Sequence, residues 1–322
     1  MEYEGRKMTK QTEESKGTKI GWFLKKTRKE RKVTRSQLCY GLCTETALAR
    51  YEQGKRIPDK FLADAFFERL GLIPYQFEFV DSDQEFQYRI LRNEIEKKLR
   101  KKEIDAALAE LDAYEAGLKK KDFLHRQYIL LKRAEIALER EDYKTSGEYL
   151  QEGFRCTKIA EAAPGKTAPV NRLFTDQETR LVYDLIKCLN AQGKTKEAES
   201  FCRMLKQYMD AAAWDKLKQK EYSPYILYCL ARSEAENHNT GRAWEYLEKA
   251  KKILLENYRM DHLCEILELE NRLTETKTEA EMQKIENRTD FLNALRIVSE
   301  YHDGQISEKG MQIWENTAKR QL

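Results

Sequence analysis

Proline and glycine are scarce in this chain, 5 and 14 residues of 322. So few turn formers argue against a fold of many short strands, and with 35% charged residues the composition favours helix throughout. No apolar run reaches membrane-spanning length, and the opening stretch MEYEGRKMTKQTEESKGTK lacks the apolar core of a secretory signal. A cytoplasmic protein with no membrane association is expected. Enzyme signatures are equally thin. The four histidines (125, 238, 262, 302) are scattered, and H-E-x-x-H, a Gly-rich phosphate loop and a nucleophile elbow are all missing from the sequence, so neither catalysis nor a cofactor is expected. The seven cysteines (39, 43, 156, 188, 202, 229, 264) are odd in number and contain no C-x-x-C. Cys39 and Cys43 are close in sequence but have no histidine nearby. Reduced core thiols are expected, with no metal.

What the chain has is length and charge asymmetry. Its 322 residues can hold two or three domains. Residues 1–80 carry 17 Lys+Arg against 11 Asp+Glu, a net +6, and the remainder carries 42 against 44. Most of the excess lies between Lys16 and Arg35, with nine basic residues and one acid, Glu30. Such a run is commonly a solvated helix face; beside a nucleic-acid-binding motif it is a phosphate-contacting candidate.

That motif is TRSQLCYGLCTETALARYEQGKRIP, Thr34 to Pro58. Residues 1–17 are polar and aperiodic, as in a disordered arm. A first helix follows, with Ile20, Phe23, Leu24 and Thr27 on one face. Thr34 is a natural N-cap for a second helix carrying Leu38 and Leu42. Gly41-Leu42-Cys43 makes a turn, and Thr44 caps a third helix, Glu45 to Gln53, with Leu48 and Tyr51 inward. Gly54 suits the left-handed position past a helix end. A fourth helix, Lys60 to Leu70, supplies Phe61, Leu62, Ala65, Phe66 and Leu70 to a small core. Pro74 to Phe79 is a last short element, helical or strand-like.

With Glu52-Gln53-Gly54-Lys55-Arg56-Ile57-Pro58 after the third helix, residues 19–80 resemble the five-helix repressor-type helix-turn-helix domain of the phage-repressor (XRE/Cro) superfamily. The short Gly41-Leu42-Cys43 turn is similar to the variant found in the RRNPP group of peptide-responsive quorum-sensing regulators, which join this domain to tetratricopeptide-like (TPR-like) repeats. Four windows after residue 80 fit a helix-pair repeat of roughly 34 residues: Ile90 to Lys119, Gln127 to Ala160, Arg180 to Asp210 and Tyr225 to Asn257. Small residues such as Ala107, Ala134, Ala198 and Ala243 stand where helices would cross. Glu161 to Gln177 reads as a long loop. Helical patterns continue over Asp261 to Ala280, Asn287 to Tyr301 and Ile306 to Arg320. The expected architecture is all-α: an arm over 1–17, a helix-turn-helix domain over 18–80, an α-solenoid over 81–304 and a capping helix over 305–322. An irregular α-hairpin bundle is the plainer alternative for the repeats.

The resemblance implies particular sites. Base-facing positions of the third helix match Glu45, Thr46, Ala49 and Arg50; the Arg50 fork suits guanine, Glu45 a cytosine amino group and Thr46 a thymine methyl. An acid at Glu45 equally suits the helix dipole. Phosphate positions match Arg35, Lys55 and Arg56, and Arg28 pairs with Glu52 within the fold. In the repeats, the inner face of the first helices matches Tyr128, Arg180, Tyr183, Lys187, Asn190, Tyr225, Tyr228 and Arg232, with Glu135 a weaker counterpart. That mix of cation, amide and aromatic suits an extended oligopeptide. The implied function is a DNA-binding transcriptional regulator, a homodimer on a palindromic double-stranded operator, switched by an imported peptide. Two alternatives stand beside it: the repeats bind a protein partner, or they regulate a bound enzyme.

Overall fold

The computed structural model describes residues 19–74, 83–119, 122–157, 173–212 and 215–274. The chain divides into two compact units, Met1–Gln219 and Lys220–Leu322. The expected arm, most of the Pro74 to Phe79 element, most of the Glu161 to Gln177 loop and the helices beyond residue 280 lie outside the described residues. Every regular element among the described residues is helical, so the protein is all-α.

The N-terminal helices are α1 (residues 19–30), α2 (Arg35–Cys39), α3 (Glu45–Glu52) and α4 (Lys60–Arg69). Their starts follow local chemistry. Thr34 and Gln37 form a capping box, and Thr44 and Asp59 accept from Ala47 N and Leu62 N, each satisfying a donor the first turn cannot use internally. Leu24, Leu38, Leu48, Phe66 and Leu70 are at most 1% exposed and fill the core.

The first unit continues with α5 (Asp83–Arg100), α6 (Ile104–Ala116), α7 (Phe123–Glu139), α8 (Tyr143–Cys156), α9 (Asp176–Ala191) and α10 (Thr195–Ala211). These pack as consecutive pairs, α5 on α6, α7 on α8 and α9 on α10, and α7 and α8 both pack on α9. The second unit holds most of α11 (Lys216–Glu236), with α12 (Thr240–Glu256) packed on α13 (Leu263–Thr274). Ala107, Ala134, Ser146, Ala198, Ala231, Ala243 and Ala250 are at most 1% exposed. Small residues there let helix axes approach closely, as the repeat pattern requires.

The first helices of the repeats share one kind of backbone ending. The first helix of each pair ends on a left-handed residue, at Lys102, Glu141, Gly193 and His238 (φ 58, 59, 73 and 61°). One residue further on, the amide donates back to the carbonyl five positions earlier: Glu103 to Lys98, Asp142 to Ala137, Lys194 to Leu189 and Asn239 to Glu234, at 3.0, 2.9, 2.9 and 2.8 Å. This is a Schellman closure, repeated four times with only one glycine. The expected windows began late because the first helices start earlier, α9 from the Thr175–Glu178 capping box and α11 at Lys216.

Pro224 lies inside α11 and withholds an amide from the Lys220 carbonyl. Arg259, just past α12, supplies the replacement: its Nη1 donates to the Lys220 carbonyl and, at 3.1 Å, to that of Glu221.

Within the first unit, α4 fastens the helix-turn-helix to the repeats. Phe61 packs on His125 of α7 at 4.5 Å between ring centroids, with the Arg92 guanidinium 4.6 Å over its face. At the other end of α4, the fully buried Arg69 donates from Nη1 to the carbonyls of Leu38 and Tyr40 at 2.8 and 2.7 Å. Its Nη2 donates to both oxygens of the fully buried Glu178, each at 3.0 Å. Lys218 adds a second tie, to Asp215 at 2.7 Å, Asp176 at 2.9 Å and the Glu68 carbonyl at 3.1 Å. Gly41 comes so close to Thr157 that a Cβ would stand 2.1 Å from its carbonyl oxygen, and its φ of +71° is itself unsuited to a side chain.

Removing Glu178 strands a buried guanidinium, so Glu178→Ala is expected to cost about 3–5 kcal/mol in urea unfolding, with α2 losing amide protection first. In contrast, Glu141→Gly relieves a left-handed non-glycine residue and should add about 0.5–1 kcal/mol; an unchanged or lower midpoint would count against the Schellman assignment.

Candidate nucleic-acid interface and repeat face

Helix α3 divides cleanly. Leu48, Tyr51 and Glu52 are buried, whereas Glu45, Thr46 and Arg50 are exposed and Ala49 is half-buried. Positions 45, 46, 49 and 50 fall on one side of a 3.6-residue helix, so the four residues assigned to bases form a single outward surface. Thr44 fixes where that surface begins, and Gly54 (φ 69°) ends the helix, with the Lys55 amide closing on the Arg50 carbonyl at 3.0 Å. Lys55 and Arg56 follow as exposed cations, Arg56 resting 5.6 Å over the Tyr51 ring.

Glu52 anchors this surface from behind. Arg28 donates to it from Nε at 2.5 Å and Nη2 at 3.3 Å, and adds a bond to the Val33 carbonyl at 2.8 Å. Arg35 also donates to Glu52, at 2.8 Å. Burial pushes the Glu52 carboxyl up, but bonds from Arg28 and Arg35 outweigh it and hold the group below the ordinary carboxylate value. The Arg28–Glu52 pair expected from sequence is therefore present. The Arg35 side chain, 37% exposed, already serves Glu52, so a phosphate would share its guanidinium with that carboxylate.

On the repeats, the first helices α5, α7 and α9 carry a continuous chain of polar contacts. Tyr128 donates to Glu96 at 3.0 Å; Lys132 bridges Glu96 and Glu135, both at 2.9 Å; Arg180 meets Glu135 at 3.1 Å and Asp184 at 3.3 Å. Tyr183 lies between Arg180 and Lys187, whose cations stand 6.0 and 4.6 Å from its ring centroid. Burial pushes the Asp184 carboxyl up to about 6, against the pull of Arg180 and with the Glu135 charge adding to it. The sequence did not single out Glu96, Lys132 and Asp184, although Lys132–Glu135 and Arg180–Asp184 have the i,i+3 and i,i+4 spacing of helix-face pairs.

Tyr128 and Tyr183 are buried, at 7% and 5% exposure, with Arg180, Lys187 and Asn190 half-buried beside them. In the second unit, Tyr225 and Tyr228 stack at 6.2 Å, Tyr225 lies 4.6 Å from the His262 ring, and Arg232 lies 5.9 Å over Tyr228. Tyr228 is buried there, and Tyr225 and Arg232 are half-buried.

No family model matches the chain, and no curated protein matches it. Two solved structures are similar. PlcR of Bacillus thuringiensis, crystallised with the peptide PapR7 and DNA, is 16% identical over 90% of this chain and 100% of its own, with a TM-score of 0.45. The apo form of ComR from S. thermophilus is 16% identical over 74% of this chain and 94% of its own, with a TM-score of 0.29. Among the described residues, no helix is long and apolar enough to cross a membrane, and no cluster of His, Cys, Asp and Glu has the arrangement of a metal site.

Asp184 gives this face a pH signature. Its folded pKa, about 6, lies above the ordinary 3.8; folding therefore favours the protonated form, and the associated stability is lost as pH rises through 6. Asp184→Asn should stabilise the protein by about 1–3 kcal/mol at pH 7.5, with the gain vanishing below pH 3.8. Urea titrations at several pH values check this, and a pH-independent difference would contradict it.

Proposed function

We propose that the chain is a cytoplasmic, sequence-specific transcriptional regulator that binds double-stranded DNA through residues 18–80 and a signalling oligopeptide through the helical repeats of 81–304, with 305–322 as a cap. The observation that carries this reading is α3: Glu45, Thr46, Ala49 and Arg50 make one outward surface flanked by the exposed Lys55 and Arg56, while every large apolar side chain of the helix turns inward. Such a helix fits the major groove, with base edges read by the outward residues and phosphates held by the loop cations. Arg35 joins the phosphate set as a residue shared with Glu52.

The mechanism follows the fold. A homodimer places two such helices on the half-sites of a palindrome, and the separation of the two domains sets affinity. Arg180, Tyr183, Lys187 and Asn190 offer a peptide cations, an aromatic edge and an amide, with Tyr128 on the neighbouring first helix. Tyr225, Tyr228 and Arg232 offer the same chemistry in the second unit. Helix α9 also carries Glu178, which grips Arg69 and through it the carbonyls that end α2. A peptide that moves α9 therefore acts on the helix-turn-helix through a short covalent and ionic path.

Selection of operator sequences from a random duplex pool, followed by titration, tests the DNA assignment. Arg50→Ala is expected to lose about 1–3 kcal/mol of specific affinity and relax one base position; Lys55→Ala should weaken all sequences alike and lower the salt slope by about one. Equal affinity and unchanged preference in Arg50→Ala would refute the recognition helix. Conditioned medium or candidate short synthetic peptides, scored by melting temperature and operator affinity, test the sensor, and no response in either would favour a protein partner on the repeats.

A further inference from the structure

Helix α1 turns one side to solvent. Gly21, Leu24, Thr27 and Arg28 are buried, whereas Lys19, Trp22, Lys26 and Lys29 are exposed, with Lys25 half-buried at the edge. Positions 19, 22, 26 and 29 follow the helical period and make one stripe. Trp22 is 59% exposed, and the Lys26 ammonium stands 5.2 Å over its ring. A single exposed apolar side chain is ordinary; its company here is not. Residues 19–32 hold seven Lys and Arg against one acid, Glu30. Glu30 lies 3.9 Å from Lys26 with both side chains more than half exposed, a setting in which an ion pair contributes little. The stripe therefore stays positive. Its place is set by Gly21, where a Cβ would stand 2.1 Å from the Tyr51 carbonyl oxygen, so the α1 backbone touches the last turn of α3. Two turns further along α1, Arg28 reaches Glu52 on the same side. Lys25 and Lys29 follow Gly21 at i+4 and i+8, beside that contact, and the chain leaving α3 carries the exposed Lys55 and Arg56. The cations of α1 and of this loop thus flank the same end of α3.

We propose that this face of α1 is a second DNA-backbone surface, in which Lys19, Lys26 and Lys29 neutralise phosphates of the duplex that α3 reads, and the Trp22 indole packs on a deoxyribose and donates to the phosphate beside it. Charge complementarity selects the occupant. A row of ammonium groups matches a phosphodiester backbone, and an indole brings an N–H donor with no acceptor to repel it. A protein partner fits less well: such interfaces are built on an apolar centre depleted of lysine, and Trp22 is the one large apolar side chain among the exposed positions of α1. Protein–DNA interfaces, in contrast, are polar and strongly positive. The inference rests on the DNA-binding role proposed for α3 and adds to it. Because backbone contacts carry no sequence information, α1 supplies affinity and leaves the choice of sequence to α3.

The side chains concerned are exposed, so their variants in the full chain should melt with the wild type. On the duplex selected from the random pool, the double variant Lys26→Gln, Lys29→Gln is expected to lower the slope of log affinity against log salt by about two, and to do the same on an unrelated duplex of equal length. Trp22→Ala should weaken both duplexes about tenfold at fixed salt, as for one hydrogen bond to a charged group. Trp22→Phe, which keeps a ring but has no N–H, should recover only part of that loss. The emission of Trp22, read as wild type minus Trp22→Phe, should change when duplex is added. Affinity, salt slope and emission that do not respond, with the wild type bound and Arg50→Ala still impaired, overturn the α1 surface and leave the α3 reading standing. A wild-type chain that binds no duplex refutes the regulator reading and this surface with it. Variants that lose binding to poly-L-glutamate while keeping full affinity for both duplexes assign the face to an acidic protein instead.

Discussion

One guanidinium holds the first unit together. Arg69 has no exposed surface, yet its terminal nitrogens reach two carbonyls at the end of α2 and both oxygens of Glu178 in the first turn of α9. An arginine is suited to this because its guanidinium carries several donors: Nη2 alone serves both carboxylate oxygens while Nη1 turns to the carbonyls. Desolvating two charges is costly, and a buried ion pair is weak support for stability by itself. Its value lies in specificity: only one placement of α4 between α2 and α9 satisfies all four acceptors. Phe61 on His125 and Gly41 against Thr157 then leave the helix-turn-helix one seat on the repeats.

Charge is distributed to match. In the ladder on α5, α7 and α9, Lys132 and Arg180 each bridge two carboxylates, so that surface is polar but close to neutral. Arg28 and Arg35 likewise serve Glu52. Among the described residues of the N-terminal region, exposed cations include Lys26 and Lys29 on α1, Lys32 after it, Arg50 on α3, and Lys55 and Arg56 beyond α3. The two surfaces therefore differ in charge: in the N-terminal region these cations lie open to solvent, and on the ladder they are paired with carboxylates.

The helix-turn-helix was legible in sequence because its signals are local. Thr34, Thr44, Gly54 and Pro58 act within one turn of where they stand, and α3 and α4 begin at the expected residues. The repeats were less legible. Their first helices end on left-handed residues, and Lys102, Glu141 and His238 give no sequence cue for that conformation, where Gly193 does. The outward residues of α3 came from the resemblance; its buried face could be read from the spacing of Leu48 and Tyr51, both of which are buried. Arg69 and Glu178 could not, being 109 positions apart, and neither could the burial of Tyr128, Tyr183 and Tyr228, which depends on neighbouring helices that periodicity does not rank.

The bond from Arg259 to the carbonyls beside Pro224 places a constraint on the order of events during synthesis. A chain emerging from the ribosome presents α11 with its proline gap some 35 residues before the donor that fills it. The donor that replaces the Pro224 amide at the Lys220 carbonyl therefore does not exist until Arg259 has been made.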